Sequence, residues 1–238
     1  MKTLEQLNVK IFADGAELDG ILELYRAPYI KGFTTNPTLM RKSGISDYEK
    51  FSRQVLEHVV DRPISFEVFS AEFDEMERQA RKIASWGKNV YVKIPITNTR
   101  RESSLELVHR LALEGVQLNV TALMTLDQVS NTSKALGSHA PSYISMFAGR
   151  IADTGRDPMP LMKEAVEIMV LYKSQELIWA SPRELLNIFH ADEIGCHVIT
   201  VTHDILKKLS LIGKELDEYS LDTVNMFYDD AKKAGYQL

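Results

Sequence analysis

The chain of 238 residues is short of several things, and each shortage closes off a class of protein. It has one cysteine, Cys196, so no disulfide can form within it; in "EIGCHVIT" that residue reads as a small buried side chain at the start of a strand, not as a catalytic thiol. A lone thiol suits a reducing cytoplasm, which is the expected location. Long apolar runs are missing. Nowhere do about 18 apolar residues follow one another, and the opening "MKTLEQLNVKIF" lacks the apolar core of a secretory leader, so no membrane association is expected. Positive charge is not in excess: 28 Lys and Arg stand against 33 Asp and Glu, a formal charge of −5 that leaves no general attraction for nucleic acid. The histidines show no metal-ligand spacing, and His58, His109 and His190 fall on helical stretches, so no metal site is expected. The dinucleotide glycine fingerprint and the phosphate-cradling Walker loop are absent, and no other cofactor is expected. Ser/Gly-rich and charged linkers are absent too, so residues 1–238 are expected to form one domain.

What the chain does have is a repeat. Hydrophobic periodicity switches between short strand-like runs and longer helix-like stretches, with turn residues between them. Strands are predicted at 9–14, 30–36, 64–69, 90–96, 116–123, 143–149, 176–181 and 197–201. Between them apolar residues recur at helical spacing: Leu18, Ile21, Leu22 and Tyr25; Phe51, Val55, Leu56 and Val59; Phe73, Met76, Ala80 and Ile83; Leu105, Val108, Leu111 and Ala112. Further helices are predicted over 126–136, 160–172, 183–190 and 204–209, and Gly87, Gly115 and Gly195 are placed to stop helices before the next strand. The segment "SLDTVNMFYDDAKKAG" is predicted as an extra helix packed outside the repeat, within a C-terminal extension over 216–238. Eight βα units in about 220 residues fit an α/β fold of the closed (β/α)8 TIM-barrel type better than an open doubly wound sheet, the second choice. Met226, Phe227 and Tyr228 give the last segment an apolar surface that covers its own barrel or a neighbouring copy, which leaves a homo-oligomer open.

In a barrel, both faces of each strand should be apolar, because helices cover one and packed layers fill the other. Polar residues near strand C-terminal ends are therefore the candidates for function. The first strand ends at Asp14 and the second at Thr34, Thr35 and Asn36; the third carries Glu67 and the fourth Lys93, in "NVYVKIPIT". Asn119 and Thr121, two apart on the fifth, share a face; Ser145 and Phe147 lie on the sixth, with Arg150 beyond; the seventh runs into Ser181 and Arg183. A closed barrel brings all these ends to one mouth. Each has a plainer reading. Asp14 caps a helix, Asn36 before Pro37 forms a turn, Glu67 and Lys93 make a structural ion pair, and Arg150 and Arg183 pair with Asp153 or Glu184. His203, in "VTHD", faces the mouth or else caps or meets solvent.

A lysine among apolar walls favours the neutral amine, the form that attacks carbonyl carbon to give a Schiff base, an electron sink that needs no metal. A carboxylate such as Asp14 then moves a proton on a substrate hydroxyl as a C–C bond breaks, while Glu67, through a water held by Thr121, moves protons as the imine forms and hydrolyses. Arg150, Arg183 and Ser181, with a helix N-terminus behind, suit a phosphate tail.

"GFTTNPTLMRKSG", "YVKIPIT", "LNVTALMTLDQ", "SMFAGRIADTGRDP" and "WASPRE" resemble, in order, the active-site segments of the transaldolase family, which includes fructose-6-phosphate aldolase-like enzymes. The resemblance runs from about Val9 to about Leu209. It implies a metal-free (β/α)8 enzyme with Lys93 as the Schiff-base lysine, Asp14 as acid/base for C–C cleavage, and Glu67 and Thr121 handling the catalytic water. It implies Asn36, Asn119 and Ser145 as ligands of the dihydroxyacetone unit, with Thr35 and Phe147 beside them, and Arg150, Ser181 and Arg183 as holders of the phosphate. Glu67 and Phe147 match the transaldolase-like choice, where aldolase-type members carry glutamine and tyrosine. The expected reaction is transfer of the three-carbon unit between sugar phosphates. An aldolase that releases the free ketone is the alternative, and a barrel that only binds sugar phosphate is a third.

Overall fold

The computed structural model describes residues 2–237. Eight strands, β1 (Lys10–Asp14), β2 (Ile30–Thr34), β3 (Ile64–Glu67), β4 (Val90–Pro95), β5 (Leu118–Leu123), β6 (Ser142–Met146), β7 (Gln175–Trp179) and β8 (Val198–Thr202), follow one another in sequence order around a closed, all-parallel barrel. The helices α1 (Leu18–Tyr25), α2 (Pro37–Lys42), α3 (Tyr48–His58), α4 (Phe73–Ala84), α5 (Leu105–Leu113), α6 (Leu126–Leu136), α7 (Ala148–Ala152), α8 (Pro158–Met169), α9 (Leu186–Glu193) and α10 (His203–Leu206) lie on the connections, and α11 (Leu216–Ala234) follows the last of them. This is the (β/α)8 barrel expected from the repeat. Among the described residues no helix is long and apolar enough to cross a membrane.

Alternation along the strands divides the core in two. Ile11, Ala13, Phe33, Ile64, Phe66, Val92 and Ile94 belong to the layer between sheet and helices, where α4 adds Met76, Ala80 and Ile83 at helical spacing. Phe12, Tyr91, Tyr143, Ile178 and Val198 form a separate cluster inside the barrel. Phe12 meets Tyr143 edge to face at 5.5 Å between ring centroids, and its ring lies where a Cβ on Gly32 would stand, only 2.6 Å away. Glycine is required on β2 because Phe12 fills that space. Above this aromatic plug the next inward positions are polar, and they form the floor of the mouth.

Local sequence sets the helix starts. The Asn36, Asp47 and Thr125 side chains accept N–H bonds from the first turns of α2, α3 and α6, and Asp157 with Pro158 opens α8. Gly115 and Gly195 close α5 and α9 with φ of 80° and 73°, in the left-handed region that favours glycine. Cys196 is buried as expected, and burial pushes its thiol up to about 12.

Three expectations are corrected. The sixth strand stops at Met146, because Ala148 already begins α7. The helix expected from Arg183 begins at Leu186; Ser181 and Pro182 form a loop in which the Asn187 side chain accepts the N–H groups of Arg183 and Glu184. The last helix is present, but no α11 side chain is buried, and Phe227 and Tyr228 are 63% and 66% exposed, so they do not cover this barrel. Its apolar residues face solvent because the barrel's helix layer is already complete without it.

Candidate active site

Glu67 and Lys93 are register partners on β3 and β4, both inward, just above the aromatic plug. The Lys93 side chain is 8% exposed and its Nζ lies 3.1 Å from Glu67 Oε2. The same Nζ donates to the Thr35 carbonyl at 2.9 Å. An isolated buried charge is costly, and this pair with its added carbonyl bond is what makes a buried amine tolerable. The ion pair weighed as the plain reading of these two residues is therefore present, and it opens into a cavity of about 530 Å³ at the C-terminal ends of the strands.

Across that cavity stands Asp14. Burial raises its carboxyl above the ordinary value of 3.8, while Lys93 and a hydrogen bond from Thr34 pull it back and Glu67 adds to the rise. Thr34 Oγ1 donates to Asp14 Oδ1 at 2.8 Å and is itself 2.5 Å from Thr200 Oγ1. Asp14 belongs to this hydroxyl chain and is not the cap of α1, whose N-cap residue is Glu17. On the other side, Ser145 Oγ donates to Asn119 Oδ1 at 2.7 Å, and Asn119 Nδ2 donates to Ser65 Oγ at 3.0 Å. Thr121 Oγ1 is buried on the cavity wall with no partner among the described residues, a hydroxyl positioned to hold a small polar molecule. The next residue, Ala122, has φ of 66°, at an irregularity in the β5 to β6 pairing that turns the strand end toward the mouth.

The far end of the cavity carries the cationic groups. Arg150 leaves α7 with its guanidinium 5.8 Å over the Phe147 ring, and no carboxylate among the described residues pairs with it. Arg183 donates from Nη1 to Ser181 Oγ at 2.8 Å and from Nε to Asp153 at 2.8 Å. Asp153 is held below the ordinary carboxylate range by that guanidinium. A Cβ on Gly149 would overlap the Ser181 carbonyl at 1.6 Å, so glycine lets the two loops meet, and Ser181 itself takes φ of 60°.

All the expected residues line this cavity except Thr35 and Asn119. Both are buried behind its wall: the Thr35 hydroxyl donates to the Ser65 carbonyl, and Asn119 is used up between Ser145 and Ser65. They support the wall and do not present free groups to the cavity. Asn36 lines it, but its Oδ1 already caps α2 through Leu39 N. His203 faces a neighbouring cavity of about 820 Å³ with Glu17 and Asp19, not the one that holds Lys93. The residues that sequence reading passed over are Ser65 and Thr200; inward parity on β3 and β8 was the available signal, since each sits two residues from another inward polar or mouth position.

Comparison with known proteins bears on the fold and the family. A solved structure titled as a 2,3-dimethylmalate lyase, of the PEP mutase/isocitrate lyase superfamily, superposes with a TM-score of 0.53 at 11% identity, over 98% of this chain and 86% of that one. That likeness is one of fold. Curated relatives are nearer. "Probable transaldolase 2" of Listeria monocytogenes is 36% identical over 202 residues, 84% of this chain and 88% of the relative. "Probable transaldolase" of Streptococcus agalactiae is 34% identical, covering 94% of this chain and 100% of the relative, and that of a Thermoanaerobacter species is 32% identical over 97% and 100%. The family profile described as transaldolase/fructose-6-phosphate aldolase matches residues 11–238, and the chain belongs to that family.

Proposed function

We propose that the chain transfers a dihydroxyacetone unit between sugar phosphates through a Schiff base on Lys93. One observation carries this: a buried amine, 3.1 Å from a carboxylate that can take its proton, opens into a cavity that Asp14 also lines. Proton transfer from Nζ to Glu67 frees the lone pair, which attacks the C2 carbonyl of a ketose; water leaves and the imine forms. Asp14 then accepts the proton of the C4 hydroxyl as the C3–C4 bond breaks, its electrons pass into the protonated imine to give a neutral enamine, and an aldehyde departs. A second aldehyde adds by the reverse steps, and water, held by Thr121 and activated by Glu67, releases the new ketose. The unpaired Thr121 hydroxyl supports that role. In this reading Ser145 and Asn36 bind the three-carbon unit, and Arg150, Ser181 and Arg183 bind the phosphate; all five line the same cavity as Lys93.

The family also contains aldolases, so the test is dependence on an acceptor. With fructose 6-phosphate and erythrose 4-phosphate, ketose transfer should far exceed release of dihydroxyacetone. Ketone release that is unaffected by erythrose 4-phosphate or glyceraldehyde 3-phosphate would make the chain an aldolase. We also place the protein in the cytoplasm and infer a homo-oligomer, in which a second copy covers the apolar residues of α11.

A further inference from the structure

Pairing between β2 and β3 ends with Thr34 opposite Ser65. Up to that point the ladder is regular: Phe33 N–H donates to the Pro63 carbonyl and Thr35 N–H to the Ser65 carbonyl. Continued by one step, the Glu67 N–H would donate to the Thr35 carbonyl. It does not; that carbonyl accepts from Lys93 Nζ. The Glu67 N–H donates instead to the Tyr48 hydroxyl at 2.8 Å, and the same hydroxyl is 2.9 Å from the Glu67 carbonyl, to which it donates. A side chain from α3 thus occupies the place of a strand along the one residue of β3 whose carboxylate meets the lysine.

We propose that Tyr48 is the positioning residue of the site: its hydroxyl replaces β2 beside Glu67, which leaves the Thr35 carbonyl free to hold the Lys93 amine. The proposal rests on the proton-transfer part assigned to Glu67 above. The ring is well fixed for the task. It begins α3, packs against Phe69 at 5.3 Å and Trp86 at 6.3 Å between centroids, and burial pushes its phenol far above the ordinary range, so the hydroxyl stays protonated and can donate and accept at once. Without it two backbone groups of Glu67 lose their partner, and the strand end that carries the carboxylate is free to move.

The experiment is a double-mutant cycle on the full chain, read as kcat for transfer from fructose 6-phosphate to erythrose 4-phosphate. Tyr48→Phe keeps the ring and should lower kcat about 10-fold with KM changed less than about 2-fold. In a Glu67→Gln background the same change should move kcat less than about 2-fold, because there is no carboxylate left to position. Trp86→Phe, in the same aromatic cluster, should lower the melting temperature and leave kcat alone. Equal losses from Tyr48→Phe in both backgrounds, or kcat unchanged in Tyr48→Phe while Glu67→Gln is impaired, would overturn the proposal alone. An unimpaired Glu67→Gln would overturn the role of Glu67 and this proposal with it. Amide hydrogen exchange of the unaltered chain gives an independent reading: the Glu67 N–H should be as protected as those of Phe66 and Val68, and exchange at open-loop rates would contradict the hydroxyl's role.

Discussion

Lys93 Nζ and Glu67 Oε2 lie 3.1 Å apart across one rung of the barrel, with their side chains 8% and 18% exposed. The pair is a buried ion pair, and in the proposed mechanism it is also the reactive one. As ammonium and carboxylate it allows charge to be buried, and one proton moved along the same contact yields a neutral amine and a neutral acid, with no net charge created in the barrel.

Glu67→Gln removes the acceptor for that proton but keeps the shape. Imine formation and hydrolysis should slow by about 10- to 100-fold in single-turnover measurements. The product balance should also shift toward free dihydroxyacetone relative to transfer. A product ratio and imine rates equal to those of the unaltered chain would remove Glu67 from the water-linked steps.

Asp14→Asn should trade activity for stability. Burial raises the folded-state value of Asp14 above 3.8, so the folded chain binds that proton more tightly than the unfolded one. The stabilisation this brings is complete below the unfolded value and is lost as pH rises through the folded value. At pH 7 the buried carboxylate is then a burden, and the asparagine variant should melt at a higher temperature than the unaltered chain, with the difference vanishing at pH values below the unfolded-state value. Transfer should fall by about 100-fold or more. Calorimetry at both pH values checks the sign.

Arg150 has no carboxylate partner among the described residues, whereas Arg183 is engaged by Asp153. Arg150→Ala should raise KM for a ketose phosphate by about 10- to 100-fold and change KM for the unphosphorylated ketose by less than about 3-fold. Asp153→Asn, by loosening Arg183, should lower KM for the phosphate ester. Equal effects on both substrates would place the phosphate elsewhere.

Gly32→Ala sets a methyl group against the Phe12 ring at 2.6 Å and should destabilise the barrel by about 1–3 kcal/mol. Phe12→Leu in the same chain should return part of that loss, which denaturant titration of the two single variants and the double variant would measure. Simple addition of the two losses would show that the ring and β2 are not coupled.

The barrel was legible because period-2 and period-3.6 patterns alternate through nearly the whole chain, and because Lys93 is a charge in the run "VYVKIPI" that only a special environment accepts. What stayed hidden depends on depth within the mouth. Thr35 and Asn119 look like their neighbours in sequence, yet Thr35 turns away from the cavity and Asn119 lies one layer below Thr121, at the level of Lys93. Tyr48 carried no signal either, since one aromatic at the start of a helix is indistinguishable from core until β2 is seen to leave the sheet. The orientation of α11 was equally unreadable: its apolar spacing marks a buried face but not whose surface buries it.

Borohydride trapping with fructose 6-phosphate tests the central claim most directly. Reduction should yield a stable adduct with the mass of the ketose-derived imine, on a single peptide at Lys93, and Lys93→Ala should yield none. An adduct that persists in Lys93→Ala, or no adduct on Lys93 in an active preparation, would contradict the account.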